Sequence, residues 1–309
     1  MAEELQQACV GTVWRSTGSW YRVRLDTGQI VDAKIRGIFR LSGLDTTNPI
    51  AVGDRVSVVS DTQSGYVITR IEPRVNYVLR KATRAGVNNQ ILCSNIDQAI
   101  FLATLKQPFT ALGYIDRFLV MLEAFHIPAI LIFNKIDLLT DKDLDKLNDY
   151  QAIYRSIGYR VQVLSTLEPA YHPLVVELLK DKKTFIAGPS GTGKSSFINF
   201  AEPGSKARTG DIMRHSQKGR HTTTFAEWYP LSFGGAIIDA PGFKEFTITG
   251  IARNELSGYF PEMRELLHRC KFNNCTHTNE PACAVRAGVE ADDIPLTRYH
   301  TYLSMLEQL

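Results

Sequence analysis

The sequence predicts an α/β chain in three parts: a small β-barrel, then a doubly wound parallel sheet, then a helical segment that holds a metal. Three observations carry this. Residues 10–71 are short β-rich runs between turn residues, and residues 96–239 alternate strand-like and helical spacing. Three of the five cysteines then crowd between Cys270 and Cys283. A length of 309 residues suits two or three domains. With 44% hydrophobic and 22% charged residues, the chain is neither disordered, nor collagen-like, nor a disulfide-dense miniprotein. The net charge of +3 is mild, so its placement is more informative than its size.

The apolar run at residues 127–133 falls far short of the roughly 20 residues that span a bilayer. The acidic start Met1-Ala2-Glu3-Glu4 does not resemble a secretory signal. A cytoplasmic chain with no membrane partner is expected. In that compartment an odd number of cysteines favours a metal site over a disulfide framework.

In the first part, residues 12–14, 20–25, 30–35 and 55–59 read as strands. Gly18-Ser19, Asp26-Thr27-Gly28, Asn48-Pro49 and Ser64-Gly65 supply turns. Five short strands in about sixty residues suit an OB-fold barrel. Trp14, Trp20 and Tyr21 are candidates to stack bases, with at least one tryptophan expected in the barrel core. Residues 72–95, with Arg74, Arg80, Lys81 and Arg84, read as a basic linker without clear period.

From Ile96 the pattern changes. Strands are expected at 97–105, 127–133, 159–164, 183–187 and 235–239, and helices at 115–125, 143–158, 174–179 and from 194. That alternation gives a doubly wound parallel sheet. Beyond residue 246, helical spacing at 255–269 and 296–309 flanks the cysteine-rich loop. The expected boundaries are 1–72, 73–245 and 246–309.

The run Gly188-Pro189-Ser190-Gly191-Thr192-Gly193-Lys194-Ser195, followed by Ser196, fits the phosphate-loop pattern G-x-x-x-x-G-K-[ST] between a strand and a helix. Glycines let backbone N–H groups close around phosphate oxygens, and the helix start adds partial positive charge. Lys194 is placed to meet the β- and γ-phosphates, and the Ser195 hydroxyl to ligate Mg²⁺. Asn134-Lys135-Ile136-Asp137 follows a buried strand. A carboxylate at Asp137 accepts from guanine N1–H and the 2-amino group, donors that adenine lacks on that edge. With the phosphate loop, this points to GTP. Ser165-Thr166, at the end of another strand, is a candidate to present N–H groups to guanine O6.

Asp239-Ala240-Pro241-Gly242 fits D-x-x-G, with Asp239 on Mg²⁺ through water and the Gly242 N–H on the γ-phosphate. Upstream lies Gly219-Arg220-His221-Thr222-Thr223-Thr224, where Thr223 is favoured as a further Mg²⁺ ligand and a strand is read over 222–228. Phe243 follows Gly242, and a phenyl ring cannot orient water by hydrogen bonding. His221 is the best internal candidate for that task, and hydrolysis without a partner should be slow.

In chain order the motifs run N-K-x-D, Ser-Thr, phosphate loop, threonines, D-A-P-G. An ordinary GTPase starts with the phosphate loop, so this is a circularly permuted arrangement. It places the γ-phosphate sensor directly before the C-terminal segment. There Cys270-x₄-Cys275-x-His277-x₅-Cys283 offers three thiolates and one imidazole, a full tetrahedral set for one structural Zn²⁺. Cys9 and Cys93 are expected to be ordinary core or surface residues.

Together these motifs resemble the ribosome small subunit-dependent GTPase A family, over nearly the whole chain. The resemblance implies late maturation of the small (30S) ribosomal subunit, with rRNA contacts from the barrel and zinc segment. It also implies subunit-stimulated hydrolysis of GTP to GDP, a monomer, and water activation by the histidine at position 221. Thr166 stands where the family's pattern usually has Ala. Charge placement agrees: Lys and Arg outnumber Asp and Glu six to two in residues 11–40, five to one in 70–86 and five to one in 204–224. Such patches suit phosphate-backbone contact. A P-loop kinase would need an acceptor site and gives no reason for N-K-x-D. An RNA-binding module with a merely structural nucleotide site gives no reason for intact Lys194, Ser195 and Asp239.

Overall fold

A computed structural model describes residues 8–35, 49–61, 65–80, 90–205, 207, 226–240 and 251–309. The chain divides into two compact units. One comprises residues 1–98, 174–187 and 198–243, the other residues 99–173, 188–197 and 244–309.

The first unit opens with five strands, β1 (Cys9–Ser16), β2 (Tyr21–Leu25), β3 (Ile30–Ile35), β4 (Arg55–Asp61) and β5 (Gly65–Ile71). They close into a barrel in the order β1-β2-β3-β5-β4. The β3–β5 pair is parallel and the other pairs are antiparallel, as in an OB-fold. Alternation sets the inner face: Tyr21, Val23 and Leu25 are buried, while Arg22 and Arg24 face out. The aromatic core residue is Tyr21, not a tryptophan: Trp20 is exposed and Trp14 only half-buried. A bulge between Val13 and Arg15 in β1 breaks the alternation, so Trp14 and Arg15 both point away from the core.

Residues 72–95 are not simply a solvated linker. They contain β6 (Tyr77–Arg80) and β7 (Gln90–Ser94), an antiparallel pair that buries Val78, Ile91, Leu92 and Cys93. Two strands of four and five residues leave too short a window for a period to show in the sequence. Arg74 is internal rather than a surface cation. Its guanidinium donates to both oxygens of buried Asp54 at 2.6 Å, and Asp54 also accepts from the Ser94 hydroxyl and the Ala51 N–H.

The remaining strands are β8 (Gln98–Ala103), β9 (Ala129–Phe133), β10 (Arg160–Val163), β11 (Lys183–Ala187), β12 (Glu227–Pro230) and β13 (Ala236–Asp239). They form one six-stranded sheet in the order β10-β9-β8-β11-β13-β12. The pairs β8–β9, β9–β10 and β11–β13 are parallel, and the edge strand β12 is antiparallel to β13. The described part of the strand read over 222–228 begins at Glu227. β8 is buried at every position, as a strand covered on both faces must be.

Helices alternate with these strands: α1 (Leu112–Ala124), α2 (Asp141–Ser156), α3 (His172–Leu179) and α4 (Lys194–Ala201). Helix α2 starts two residues earlier than its apolar stripe suggests. Thr140 and Asp143 form a capping box, with the Asp143 carboxylate accepting from the Thr140 N–H at 2.8 Å.

After residue 250 come α5 (Pro261–Arg264), α6 (Ala284–Glu290) and α7 (Leu296–Leu306). The continuous helical spacing at 255–269 folds instead as 3-10 turns at Leu256–Tyr259 and Leu267–Arg269 around the single turn of α5. Pro261 lacks the N–H that would continue a helix across this point. The apolar residues still reach one core, in which Leu256, Phe260 and Met263 pack with Val120 of α1 and with Tyr302, Met305 and Leu306 of α7.

Beneath that core lies Arg298 of α7, completely buried. It pairs with Asp116 of α1 at 3.0 Å and with Glu262 of α5 at 2.7 Å. Tyr154 and Thr301 donate to the Asp116 oxygens at 2.9 and 2.8 Å. Burial works against the Arg298 charge, but the two carboxylates outweigh it and hold the group protonated. Removing one partner of such a network strands buried charge. Arg298→Ala should therefore cost about 3–5 kcal/mol in chemical denaturation, whereas exposed Arg253→Ala should cost much less.

Candidate nucleotide and metal sites

The motif-bearing loops leave the carboxyl ends of parallel strands, where open α/β sheets place ligand sites. Asn134 follows β9, Ser165 lies just beyond β10, Gly188 follows β11, and Asp239 ends β13. In register, Phe133 lies beside Val163, and Ile186 beside Asp239.

Three glycines shape the phosphate loop, with φ of 143° at Gly188, 88° at Gly191 and 97° at Gly193. Side chains are rarely tolerated there. A Cβ at Gly188 would also collide with the Leu102 carbonyl of β8. Between the glycines, the Thr192 hydroxyl donates to the Pro189 carbonyl at 2.9 Å and is wholly buried. Ser190 sits at the exposed turn of the loop. Helix α4 then begins at Lys194, which puts Ser195 and Ser196 in its first turn. The Lys194 ammonium donates to the carbonyls of Gly188 at 2.8 Å and Pro189 at 2.9 Å, holding its charge over the loop.

Asn134 ties the base-reading loop to the phosphate loop. Its buried side chain donates to the Thr192 carbonyl at 2.9 Å and accepts the Thr166 N–H at 3.3 Å. Lys135 takes a left-handed conformation, φ 63°, and reaches the Gln107 carbonyl at 2.6 Å. Ile136 and Asp137 lie in the 3-10 turn that follows. The Asp137 carboxylate is exposed and accepts the hydroxyl of buried Ser165 at 2.5 Å. The Ser-Thr pair thus supports the base-reading loop through a side chain and an N–H that already have partners. Gln107 belongs to none of the sequence motifs, yet it joins this loop. Its contribution is a backbone carbonyl, which leaves no trace in residue identity. His221, Thr223 and Gly242 lie outside the described residues.

The second cluster is Cys270, Cys275, His277 and Cys283, whose ligand atoms all lie within 4.8 Å of one another. Cys270 Sγ is 3.6 Å and Cys283 Sγ 3.4 Å from His277 Nδ1. Three soft sulfurs and a nitrogen converging this closely fit a tetrahedral metal ion. Burial, with neighbouring sulfurs adding to it, pushes the Cys275 thiol up to about 12. Burial also lowers the His277 pKa. Both shifts follow from burial, which favours the neutral thiol and the neutral imidazole, so a metal bound here must displace the thiol protons. Tyr299 and Tyr302 of α7 brace the loop by donating to the His277 and Thr276 carbonyls, each at 2.7 Å. Burial alone would raise the Glu280 carboxyl. Bonds from Thr276 and the neighbouring N–H groups outweigh it and hold the group at about 2, so the carboxylate caps the loop. Cys9 and Cys93 are not members of this cluster. No helix among the described residues is long and apolar enough to cross a membrane.

A phosphate loop, a guanine-type N-K-x-D loop bonded to it, and a chain order that puts the second before the first define a circularly permuted P-loop GTPase. The RsgA GTPase family model matches residues 71–249, and the RsgA N-terminal domain model matches residues 10–67. The chain belongs to the RsgA GTPase family and is an enzyme that hydrolyses GTP.

Among its relatives is the small ribosomal subunit biogenesis GTPase RsgA of Flavobacterium johnsoniae. It is 46% identical over 300 residues, covering 96% of this chain and 92% of that protein. The protein of the same name from Bacteroides fragilis is 42% identical over 297 residues, covering 96% of each. Two solved structures share the fold. YjeQ from Thermotoga maritima has a TM-score of 0.79 at 33% identity over 98% of this chain and 99% of that one. YloQ, described as a circularly permuted GTPase, has a TM-score of 0.74 at 28% identity over 100% and 97%.

Proposed function

We propose that this protein is a guanine-nucleotide switch in late maturation of the small (30S) ribosomal subunit, docking on its rRNA and hydrolysing GTP when docked. The observation that carries this reading is the Asn134–Thr192 bond, which couples base reading to phosphate binding in one site. The names of the relatives supply the ribosomal context. In this reading residues 1–72 form the RNA-binding barrel, 73–245 the GTPase domain and 246–309 the zinc-binding helical domain.

Gly188 to Ser196 wrap the phosphates, Lys194 neutralises charge on the β- and γ-phosphates, and Asn134 to Asp137 with Ser165 and Thr166 hold guanine. Ser195, Thr223 and Asp239 hold Mg²⁺, which stabilises the negative charge that grows on the phosphates in the transition state. His221 orients the attacking water, and the Gly242 N–H senses the γ-phosphate. The set of three cysteines and one histidine holds one structural Zn²⁺. The protein works as a cytoplasmic monomer.

The test is phosphate release from GTP with and without purified small subunits, at low and high salt. Stimulation of about tenfold or more that fades with salt is expected, because docking through basic surfaces releases counterions. Equal slow rates in both conditions, from protein shown to bind GTP, would remove the ribosomal assignment. A phosphorylated acceptor in place of free phosphate would make the protein a kinase.

A further inference from the structure

A cleft of about 720 Å³ lies between the barrel and strand β12, within the first compact unit, and no residue of the phosphate loop lines it. That volume is in the range of sites for small molecules, roughly 300–1,000 Å³. The barrel wall presents Trp14, Arg15 and Arg22, and the opposite wall Glu227, Trp228 and Tyr229. Trp14 and Trp228 stack across it with centroids 5.8 Å apart and planes 13° apart. The Arg24 guanidinium lies 5.0 Å from the Trp14 centroid.

The lining has three chemistries in one place. Trp14 is already covered by Trp228 and Arg24, so the Trp228 indole and the Tyr229 phenol are the lining surfaces that offer a flat π-system a further stacking partner. Arg15 and Arg22 at the barrel rim accept an anion, with Arg22 oriented by its 3.0 Å pair with Asp32. Glu227 accepts the Tyr229 hydroxyl at 2.6 Å, and Glu202, also in the lining, accepts the Ser232 N–H at 2.7 Å. A carboxylate has about four lone-pair sites, so each keeps capacity for amino or hydroxyl donors. A polyanion such as a triphosphate would meet both carboxylates. One phosphodiester carrying one base and one ribose matches all three chemistries. The β1 bulge brings this about, because it turns Arg15 outward beside Trp14.

We propose that this cleft takes a single unstacked nucleotide of single-stranded RNA. The inference rests on the RNA-binding reading above and deepens it. It also links RNA to the nucleotide switch. Across the β12–β13 ladder, Glu227 lies opposite Asp239 and Trp228 opposite Ile238. Thr224 precedes β12 in the chain by only three positions. A base held against Trp228 therefore steadies the strand next to both γ-phosphate-sensing segments.

The test is fluorescence anisotropy of a labelled six-nucleotide oligouridylate with the full GTP-loaded chain. Base–aromatic stacking is worth roughly 1–3 kcal/mol per base, so Trp228→Ala should weaken binding about tenfold and Trp228→Phe by less than about threefold. Arg15→Ala should weaken it and lower the salt slope by about 0.7, the value for one single-strand phosphate contact. GTP affinity should stay unchanged in all three. If Trp228→Ala disturbs GTP binding, exposed Arg15→Ala decides. Unchanged oligonucleotide affinity in the Trp228 and Arg15 variants, with loss in Trp20→Ala, would put RNA on the outer barrel face. That would overturn the cleft site and leave the ribosomal reading intact. Failure of the wild-type chain to bind the oligonucleotide while it still binds intact subunits would also overturn the cleft site alone. Loss of both would overturn the two together.

Discussion

Replacing Asp137 by Asn should lower GTP affinity by about 10⁴-fold and transfer preference to xanthosine triphosphate. The size follows from sites built for polar pairing, which reject a mismatched partner by about 10⁴–10⁵ because buried donors are left facing donors. The Asp137 carboxylate is acceptor-only, so it suits the two N–H donors on the guanine edge. An Asn amide would set its NH₂ against the guanine 2-amino group. Xanthine carries a carbonyl there, and the same amide can donate to it. The Ser165 hydroxyl, 2.5 Å from Asp137 Oδ1, can rotate to serve either side chain, so the loop should keep its shape. Titration calorimetry with both nucleotides checks this. Asp137→Asn protein that binds GTP within about tenfold of wild type would show that the base is read elsewhere, since a lost polar pairing costs far more than that. Ser165→Ala should give a smaller loss, near tenfold, because it removes only the group that orients the carboxylate.

The backbone of the glycine-rich loop is legible because φ beyond 80° at Gly188, Gly191 and Gly193 favours glycine, and Lys194 donates back to the loop's own carbonyls. The barrel was legible for a different reason. Strict alternation in Tyr21–Leu25 records an inside and an outside, although nothing local records that β3 pairs with β5 in parallel. Features that depend on distant partners were hidden. Trp14 reads as a barrel aromatic until Trp228 stacks on it from across the sequence. Arg74 reads as part of a basic run, yet Asp54 takes both arms of its guanidinium inside the protein. Arg298 looks like a surface residue of a C-terminal helix, and Asp116, from nearly two hundred residues earlier, makes it core. Helical spacing at 255–269 recorded which residues are buried but not the breaks, because three short turns preserve the same apolar face as one helix.

Stripping the metal should have the largest effect on the C-terminal segment. Structural Zn²⁺ binding is worth about 10–16 kcal/mol in small zinc modules, as much as the whole stability of a typical domain, about 5–15 kcal/mol. Here the cost of losing it falls on a small core. Cys283 caps α6 by accepting the Arg286 N–H, and its side chain is itself a member of the cluster Leu256, Phe260, Met263, Val285, Ile294 and Tyr302. Tyr299 and Tyr302 reach the metal loop through carbonyls at 277 and 276, so a collapsed loop also takes the acceptors from two partly buried hydroxyls. Hydrogen exchange read by mass spectrometry should show residues 270–306 losing protection when a chelator removes the metal, and regaining it on adding Zn²⁺. Cys275→Ser should reproduce the loss permanently, while Cys9→Ser should retain both metal and protection. Affinity should rise with pH, because binding needs the thiols as thiolates and burial already raises that of Cys275. Unchanged protection in protein shown by elemental analysis to be metal-free would mean that tyrosine bracing and apolar packing hold the segment, and that the four ligands are dispensable for its fold.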